Sequence, residues 1–163
     1  MGVELRTATT QDRGFLERML LVAVHWRPGA VAPPVEEVLA QPALGHYVDG
    51  WPRAGELGVI AEADGGEPIG AAWCRTFSAE DPGYGFVGEA VPEISIGVVE
   101  RARGRGVGRA LMATLIEAAT QRGIARLSLS VETENPAMRL YEALGFVTVS
   151  EADGSATMVR ELG

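Results

Sequence analysis

The sequence predicts an α/β protein of the α+β type, in which helices flank a mixed, mostly antiparallel central sheet. Residues 57–63 and 68–75 have strand-like composition and are separated by Asp64-Gly65-Gly66-Glu67, a turn typical of an antiparallel hairpin. After residue 90, strand patterns alternate with segments of helical period. Hairpin strands followed by strand, helix, strand, helix and strand indicate one mixed sheet covered by helices.

The N-terminal elements follow from local patterns. Apolar and polar side chains alternate from Val3 to Ala8, as in a half-buried strand, and Thr9 or Thr10 then offers a cap for the helix that follows. Residues 25–53 carry several prolines and aromatic residues around a short helical stretch, Val35 to Leu39. We interpret this segment as a partly helical, irregular excursion.

The C-terminal part is more regular, because each segment has one dominant period. In chain order we predict a central strand at 90–99, a helix at 106–122 that Gly123 ends, a strand at 127–131, a helix that starts at Asn135-Pro136, and strands at 146–149 and 156–160. The residues between the central strand and the long helix have a composition unlike the rest of the chain.

Length and composition indicate one domain without a membrane span. A chain of 163 residues is the size of a single compact domain, here 1–163, and 47% apolar with 22% charged residues is the balance of an ordinary globular protein. The N-terminus has no signal-like apolar stretch, and no run approaches the roughly 20 apolar residues of a bilayer span. We therefore expect a cytoplasmic protein with no membrane partner.

Charge and side-chain inventory argue against two further kinds of partner. A formal net charge of −8 argues against a nucleic-acid partner, because phosphates require clustered cations on the binding face. Cys74 is the single cysteine, and His25 and His46 lie too far apart in sequence for a typical metal-ligand pair. We therefore expect neither an intrachain disulfide nor a metal.

One short segment of this acidic chain is basic and rich in glycine. All 14 basic residues are arginines, and four of them lie at positions 101, 103, 105 and 109. The run Arg103-Gly104-Arg105-Gly106-Val107-Gly108-Arg109 falls between a predicted strand and the first turn of a helix, where backbone N–H groups lack helical partners. Glycines allow close backbone approach, and the helix dipole and arginines attract negative charge. The segment therefore predicts an anion site suited to a pyrophosphate.

Two common phosphate loops do not fit this run. A P-loop requires a lysine after its glycines, and the chain contains none. The dinucleotide fingerprint requires the spacing G-x-G-x-x-G, whereas the glycines here stand at 104, 106 and 108.

The run instead resembles the acetyl-CoA signature of the GNAT N-acetyltransferase superfamily, Arg/Gln-x-x-Gly-x-Gly/Ala, with Arg103, Gly106 and Gly108 at the defining positions. The resemblance continues upstream through the strand 93–98 and downstream through 135–146, which is similar to the second motif of the family. It covers about residues 90–149, whereas the first ninety residues match in element order only. The resemblance implies the GNAT fold and acetyl-CoA as co-substrate.

Carried over position by position, the resemblance implies a set of cofactor residues. Backbone groups of Gly97, Val98 and Val99 would pair with the pantetheine arm, and Asn135 would contact the cofactor near the end of that arm. The pyrophosphate would lie on the loop formed by Arg103, Gly104, Arg105, Gly106, Val107, Gly108 and Arg109.

The resemblance also implies catalytic roles for two side chains. Direct transfer requires a group that removes a proton from the amine and a group that protonates the departing thiolate. Tyr141 is the expected acid and Glu93 the expected base, although some members of the superfamily use no dedicated base. Two alternatives remain open: Tyr141 as a core tyrosine on an apolar helix face, and Glu93 as a solvent-facing residue at a strand start. Glu89 and Glu100 are weaker candidates for the base.

The acceptor is predicted only as a class. The segments 25–51 and 77–88 occupy the places where the superfamily builds its acceptor pocket, so we expect Trp26, Tyr84 and Glu93 to contact a primary amine of a small molecule or peptide. A homodimer is part of what the resemblance implies. Two alternatives stay open: transfer from another acyl-CoA, such as succinyl- or propionyl-CoA, and a non-catalytic module that senses acyl-CoA.

Overall fold

The computed structural model describes residues 2–163 and contains a seven-stranded sheet with helices on it, which confirms the predicted fold class. The strands are β1 (Glu4–Thr7), β2 (Leu57–Glu62), β3 (Pro68–Arg75), β4 (Glu93–Val98), β5 (Arg126–Glu132), β6 (Val147–Ala152) and β7 (Ser155–Glu161). The α-helices are α1 (Arg13–Val24), α2 (Val35–Leu39), α3 (Pro42–Gly45), α4 (Val107–Gln121) and α5 (Ala137–Ala143).

The strand order in the sheet is β1-β2-β3-β4-β5-β7-β6. The pairs β1–β2, β5–β7 and β6–β7 are antiparallel, whereas β4 and β5 run parallel. The sheet is therefore mixed and mostly antiparallel, as predicted. Within residues 2–163, no helix combines the length and the apolar character that a membrane span requires.

By its internal contacts the chain forms two compact units. The first unit comprises the residues up to Trp73 together with Ser95–Leu115, and the second comprises Cys74–Ile94 together with Ile116–Gly163. In the first unit, Leu16, Ile60 and Leu111 are fully buried, and the Trp73 indole donates a hydrogen bond of 2.9 Å to the Tyr47 carbonyl. The core of the second unit contains fully buried or nearly fully buried residues from its strands and loops, among them Leu127, Phe146 and Met158.

A capping box in the first unit closes the 3-10 turn Thr10–Asp12, which leads directly into α1. The Thr9 hydroxyl accepts a hydrogen bond from the Gln11 amide, and the Asp12 carboxylate accepts one of 2.7 Å from the Thr9 amide. Arg6 of β1 donates to both Asp12 oxygens at 2.8 Å. Of the two predicted caps, Thr9 is therefore the one used. The hydrogen bonds from Arg6 are the main reason that the pKa of Asp12 lies below its usual value.

Replacing Asp12 by asparagine should lower the free energy of unfolding by about 1 kcal/mol at neutral pH, the typical cost of a lost helix cap. Because the folded-state pKa of Asp12 is lowered, its stabilisation is complete above the usual aspartate value of 3.8 and is lost as the pH falls through the folded-state value. Urea unfolding of the wild type and of Asp12→Asn at pH 7 and at pH 2 measures the difference between their free energies of unfolding. A difference that is equally large at pH 2 would contradict this account, and Asp64→Asn in the exposed turn is the control.

Several boundaries differ from the predicted ones for local reasons. The β2–β3 hairpin is joined by a short 3-10 turn, Asp64–Gly66. The Ala63 amide closes this turn by donating a hydrogen bond to the Glu67 carbonyl. β4 begins at Glu93 and not at residue 90, because the preceding residues form a turn in which the Val91 amide bonds to the Gly88 carbonyl. The short helix α3 was not predicted; it begins at a proline, which suits the first turn of a helix.

Candidate active site

The loop between β4 and α4 presents a row of uncommitted backbone donors. Gly104 and Gly106 adopt left-handed conformations, with φ of 76° and 81°, and no atom lies within 4 Å of where a Cβ would stand on either residue. The Ala110 amide makes the first helical bond, 3.0 Å to the Gly106 carbonyl. Within the described chain, 2–163, the amides of residues 104–109 donate no hydrogen bond. The predicted anion loop thus keeps these donors available.

The four arginines of this segment have three different surroundings. Arg103 is partly buried, and its guanidinium donates to the Val98 carbonyl at 3.2 Å and to the Trp26 carbonyl at 2.9 Å. Arg101 pairs with Glu67 across 2.6 Å on the surface. Arg105 and Arg109 are exposed, and neither has an ion-pair partner among residues 2–163.

Arg103 therefore has a role that the sequence did not predict. Its two hydrogen bonds tie the loop to the end of β4 and to the segment that follows α1. A guanidinium has five N–H donors, so others remain for an anion. The loop is positioned by one arginine and flanked by two exposed cations.

The predicted pantetheine segment, 97–99, is only partly free to bind a ligand. The Val99 amide donates to the Ile69 carbonyl at 2.9 Å, so it is committed to β3. Because successive backbone groups of a strand point in opposite directions, the Val98 groups point away from β3. The Val98 carbonyl already accepts from Arg103, which leaves the Val98 amide as the donor on that side.

Gly97 has a packing role of its own. A Cβ at this position would stand 2.4 Å from the Met19 carbonyl oxygen of α1, so no larger residue fits without a shift of the backbone. The signal in the sequence was a glycine inside a strand of branched apolar residues, which often marks a close backbone approach.

Tyr141 lies on α5 and is buried in the second unit, with 7% of its surface exposed. Its ring packs edge-on against Phe146, with 6.4 Å between the centroids. Burial raises the pKa of Tyr141 to about 12, so the phenol is fully protonated at neutral pH. A core packing role and a proton-donating role are both compatible with this environment.

Asn135 acts at the start of α5. Its side-chain oxygen accepts a hydrogen bond of 2.9 Å from the amide of Ala137, the first residue of the helix. The Asn135 side-chain nitrogen takes no part in this bond.

Glu93 is buried at the start of β4, with 3% of its surface exposed. The alternative in which Glu93 faces solvent is therefore wrong, because both faces of the sheet are covered at this point. Ser128 of β5 lies opposite Glu93 in the parallel pair of β4 and β5. The Ser128 amide donates a hydrogen bond of 3.0 Å to the Pro92 carbonyl. Ser128 was not among the predicted site residues, because the alternation of Leu and Ser in 127–131 predicts a strand without showing that this serine is buried.

The two predicted acceptor contacts other than Glu93 differ in exposure. Trp26, in the first unit, is partly buried, and the Arg27 guanidinium lies 4.5 Å from its ring centroid. Tyr84, in the second unit, is 63% exposed. Its neighbour Gly85 packs so closely on β5 that a Cβ would stand 2.7 Å from the Leu129 carbonyl carbon.

Two further observations bear on alternative sites. A surface cavity of about 500 Å³ in the second unit is lined by residues that include Val87, Val147 and Val149, and none of the predicted site residues lines it. Among residues 2–163 there is no group of three or more His, Cys, Asp or Glu side chains that could hold a metal ion.

Comparison with known proteins decides the family. Residues 12–146 match the model of the acetyltransferase (GNAT) family. This chain belongs to the GNAT family. The match covers the anion loop, Glu93, Asn135 and Tyr141, so the resemblance noted from the motifs is confirmed.

Curated relatives of this GNAT chain include two mycothiol acetyltransferases. The protein from Amycolatopsis mediterranei is 34% identical over 148 residues, which cover 89% of this chain and 46% of the relative. The protein from Saccharomonospora viridis is 36% identical over 152 residues, which cover 91% of this chain and 47% of the relative. The chain thus spans about half the length of the curated relatives it matches.

Solved GNAT structures have the same fold. A ribosomal-protein-alanine N-acetyltransferase from Brucella melitensis has a TM-score of 0.69 at 26% identity, covering 98% of this chain and 99% of that one. A phosphinothricin acetyltransferase from Sinorhizobium meliloti, solved with acetyl-CoA, has a TM-score of 0.68 at 23% identity, covering 100% and 90%.

Proposed function

We propose that this GNAT chain binds acetyl-CoA and transfers the acetyl group to a primary amine. The observation that carries the proposal is the loop 103–109, in which two left-handed glycines, uncommitted backbone amides and exposed arginines precede a helix. This is the donor set that a pyrophosphate requires. The Val98 amide is the proposed donor to the pantetheine arm, and Gly97 and Val99 shape the strand beside it. The Asn135 side-chain nitrogen is the proposed contact near the end of that arm.

Tyr141 is the proposed general acid. When bound, acetyl-CoA supplies a thioester whose carbonyl carbon an amine can attack. Tyr141 then gives its proton to the departing sulfur. Burial raises the pKa of Tyr141 to about 12, so the phenol carries the proton to be given throughout the physiological pH range.

Glu93 is the proposed base. Its burial makes its position well defined, and a buried carboxylate can accept the proton that the amine must lose before it attacks. The amine proton passes to Glu93, and the nitrogen lone pair is then free to form the new amide bond. No electron transfer and no metal enters this scheme.

The acceptor is proposed to be a small-molecule or peptide amine contacted by Trp26, Tyr84 and Glu93. The relatives named for mycothiol favour a small molecule, whereas the structural relative named for a ribosomal-protein alanine favours a peptide N-terminus. We further propose that 1–163 acts as a single GNAT domain, since the family match is continuous across both units, and that it works in the cytoplasm as a homodimer.

An acceptor screen by thiol release tests the proposed function. The purified chain is incubated with acetyl-CoA and with amino acids, polyamines, aminoglycosides, amino-thiol sugars related to mycothiol, and peptides that begin with alanine. We expect at least one amine to release CoA thiol and to gain one acetyl group by mass spectrometry, in equal amounts. Binding of acetyl-CoA without thiol release for any amine would contradict catalysis and favour an acyl-CoA sensor.

A further inference from the structure

One edge of the sheet, in the second unit, is exposed and partly apolar. β6 is the last strand in the sheet order, and all six of its residues are exposed. Val147 and Val149 have 62% and 54% of their surface exposed. Within residues 2–163, the backbone of β6 bonds only to β7, so the groups on its outer side remain available. Such an edge is open to contact with another chain.

The opposite edge strand, β1, is protected in the usual way. It has only four residues, and two of them, Glu4 and Arg6, are charged. Short length and charge both discourage contact with another chain. β6 has instead four consecutive uncharged residues, Val147-Thr148-Val149-Ser150. A bulge between Thr148 and Ser150 bends the strand, so we expect a partner to pack against its side chains and not to extend a regular ladder.

An apolar cavity adjoins this edge. Val147 and Val149 belong to the wall of the surface cavity of about 500 Å³, together with Val87 and Val159. Its lining also includes three charged residues, Arg126, Arg160 and Glu161. An exposed apolar patch with a polar rim is typical of an interaction site. We call these four valines the β6 patch.

The start of β6 is basic. The Arg160 guanidinium donates to the Leu144 carbonyl at 2.7 Å, so it lies directly before the strand. Arg160 pairs with no carboxylate in the part of the chain that the structure describes, 2–163, and it has further N–H donors to offer. The nearby Arg126 and Glu161 lie 4.0 Å apart and offset each other's charge. Arg160 is therefore the cation available to a partner at this end.

The other end of β6 is acidic. Glu151 and Asp153 are exposed, and neither has a hydrogen-bond or ion-pair partner for its side chain among residues 2–163. Glu151 follows Gly145, which lies beside Arg160, by six positions, or about 20 Å of extended chain. The edge therefore has a cation at its start, valines near its middle and carboxylates at its end.

We propose that the edge β6 is the contact between two copies of this chain, which lie antiparallel about a two-fold axis near Thr148. In a two-fold contact the same surface of each copy meets the other. The antiparallel arrangement brings the two β6 patches together and puts Glu151 of each copy beside Arg160 of the other. A second copy is the occupant favoured here because it repeats both charges and the valines at the same spacing. The inference rests on the homodimer in the proposed function, and not on the proposed reaction.

A charge exchange between the copies tests this contact. We expect the wild type to dimerise reversibly in sedimentation equilibrium. Glu151→Arg and Arg160→Glu each put like charges at both ends of the contact, so each should raise the dissociation constant of its dimer by about tenfold. An equal mixture of the two variants restores opposite charges at both ends and should associate as the wild type does.

Two outcomes of this experiment would overturn the inference. One is a mixture that associates no more tightly than either variant alone. The other is a wild type that remains a single chain at every concentration, which would mean that the β6 patch serves a different partner or none. Glu117→Arg, an exposed residue of α4 in the second unit, makes the same change of charge away from β6 and should associate as the wild type.

A second variant keeps the test independent of Arg160, whose substitution also removes the bond to the Leu144 carbonyl. Val149→Lys places a charge at the middle of the edge and should also raise the dissociation constant by about tenfold, because edge lysines prevent contact between sheets. Val31→Lys is the matched control, since Val31 is 92% exposed and lies in the first unit. Equal association of the two lysine variants would contradict the proposed contact.

Thiol release by the same preparations distinguishes the interface from the reaction. A dimeric wild type that passes the charge exchange but acetylates no amine would refute the proposed reaction and support the interface. A wild type that acetylates an amine but never dimerises would refute the homodimer and the interface while the acetyltransferase function stands.

Discussion

Replacing Arg103 and Gly106 together by alanine is expected to weaken CoA binding at least 100-fold, about 3 kcal/mol. Arg103 holds the loop through two backbone carbonyls, so its loss frees the loop as well as removing a cation. Gly106 has a φ of 81°, a conformation that costs an alanine roughly 1–2 kcal/mol, so the backbone amides would turn away from the phosphates. Isothermal titration with CoA measures the loss.

A matched double variant distinguishes the loop from general damage. Arg101→Ala combined with Gly65→Ala also removes one arginine and one left-handed glycine, but Arg101 pairs with Glu67 on the surface and Gly65 lies in the β2–β3 turn. Its CoA affinity should stay within about twofold of wild type, roughly 0.4 kcal/mol. If both double variants lose CoA affinity equally, the loop 103–109 has no special role in binding CoA.

Replacing Tyr141 by phenylalanine is expected to lower kcat by about 10²–10³-fold, the usual contribution of a positioned acid. The ring and its edge-on contact with Phe146 are kept, so CoA affinity should not change. Steady-state kinetics and CoA titration on the same preparation measure the two quantities. An equal loss of kcat and of CoA affinity would mean that Tyr141 only supports the structure.

The pH dependence of Tyr141 follows from its burial. The folded-state pKa is raised from 10.0 to about 12, so the folded state holds this proton more tightly than the unfolded chain. The resulting stabilisation is complete below pH 10 and is lost as the pH rises towards 12. Wild type should therefore lose more stability than Tyr141→Phe over that interval, as measured by urea unfolding.

The sequence predicted the parts of the fold that depend on local patterns. The hairpin, the long helix and the short helix at 35–39 lie where turn residues and helical period place them. The anion loop was predictable for the same reason, since its glycines and arginines are adjacent in the chain. The helix α3 has only a proline as its local signal, so no element of its own was predicted for that segment.

What the sequence could not predict depends on partners far away along the chain. Arg103 bonds to a carbonyl 77 residues earlier, and Val99 is committed to β3 by the sheet register. Whether Glu93 is buried or exposed could not be predicted, because the alternation of residues in a strand does not show whether one face of the sheet is covered or both are. The position of Ser128 opposite Glu93 depends on the register between β4 and β5, which no local pattern predicts.

The central claim is that CoA phosphates bind to the backbone amides of the loop 103–109. The most direct measurement is a titration of ¹⁵N-labelled protein with CoA, followed by amide chemical shifts. We predict the largest shifts on residues 104–109 and on Val98, with a much smaller response to pantetheine, which has no pyrophosphate. Loop amides that do not respond, with the main shifts at the cavity lined by Val87, Val147 and Val149, would contradict the account.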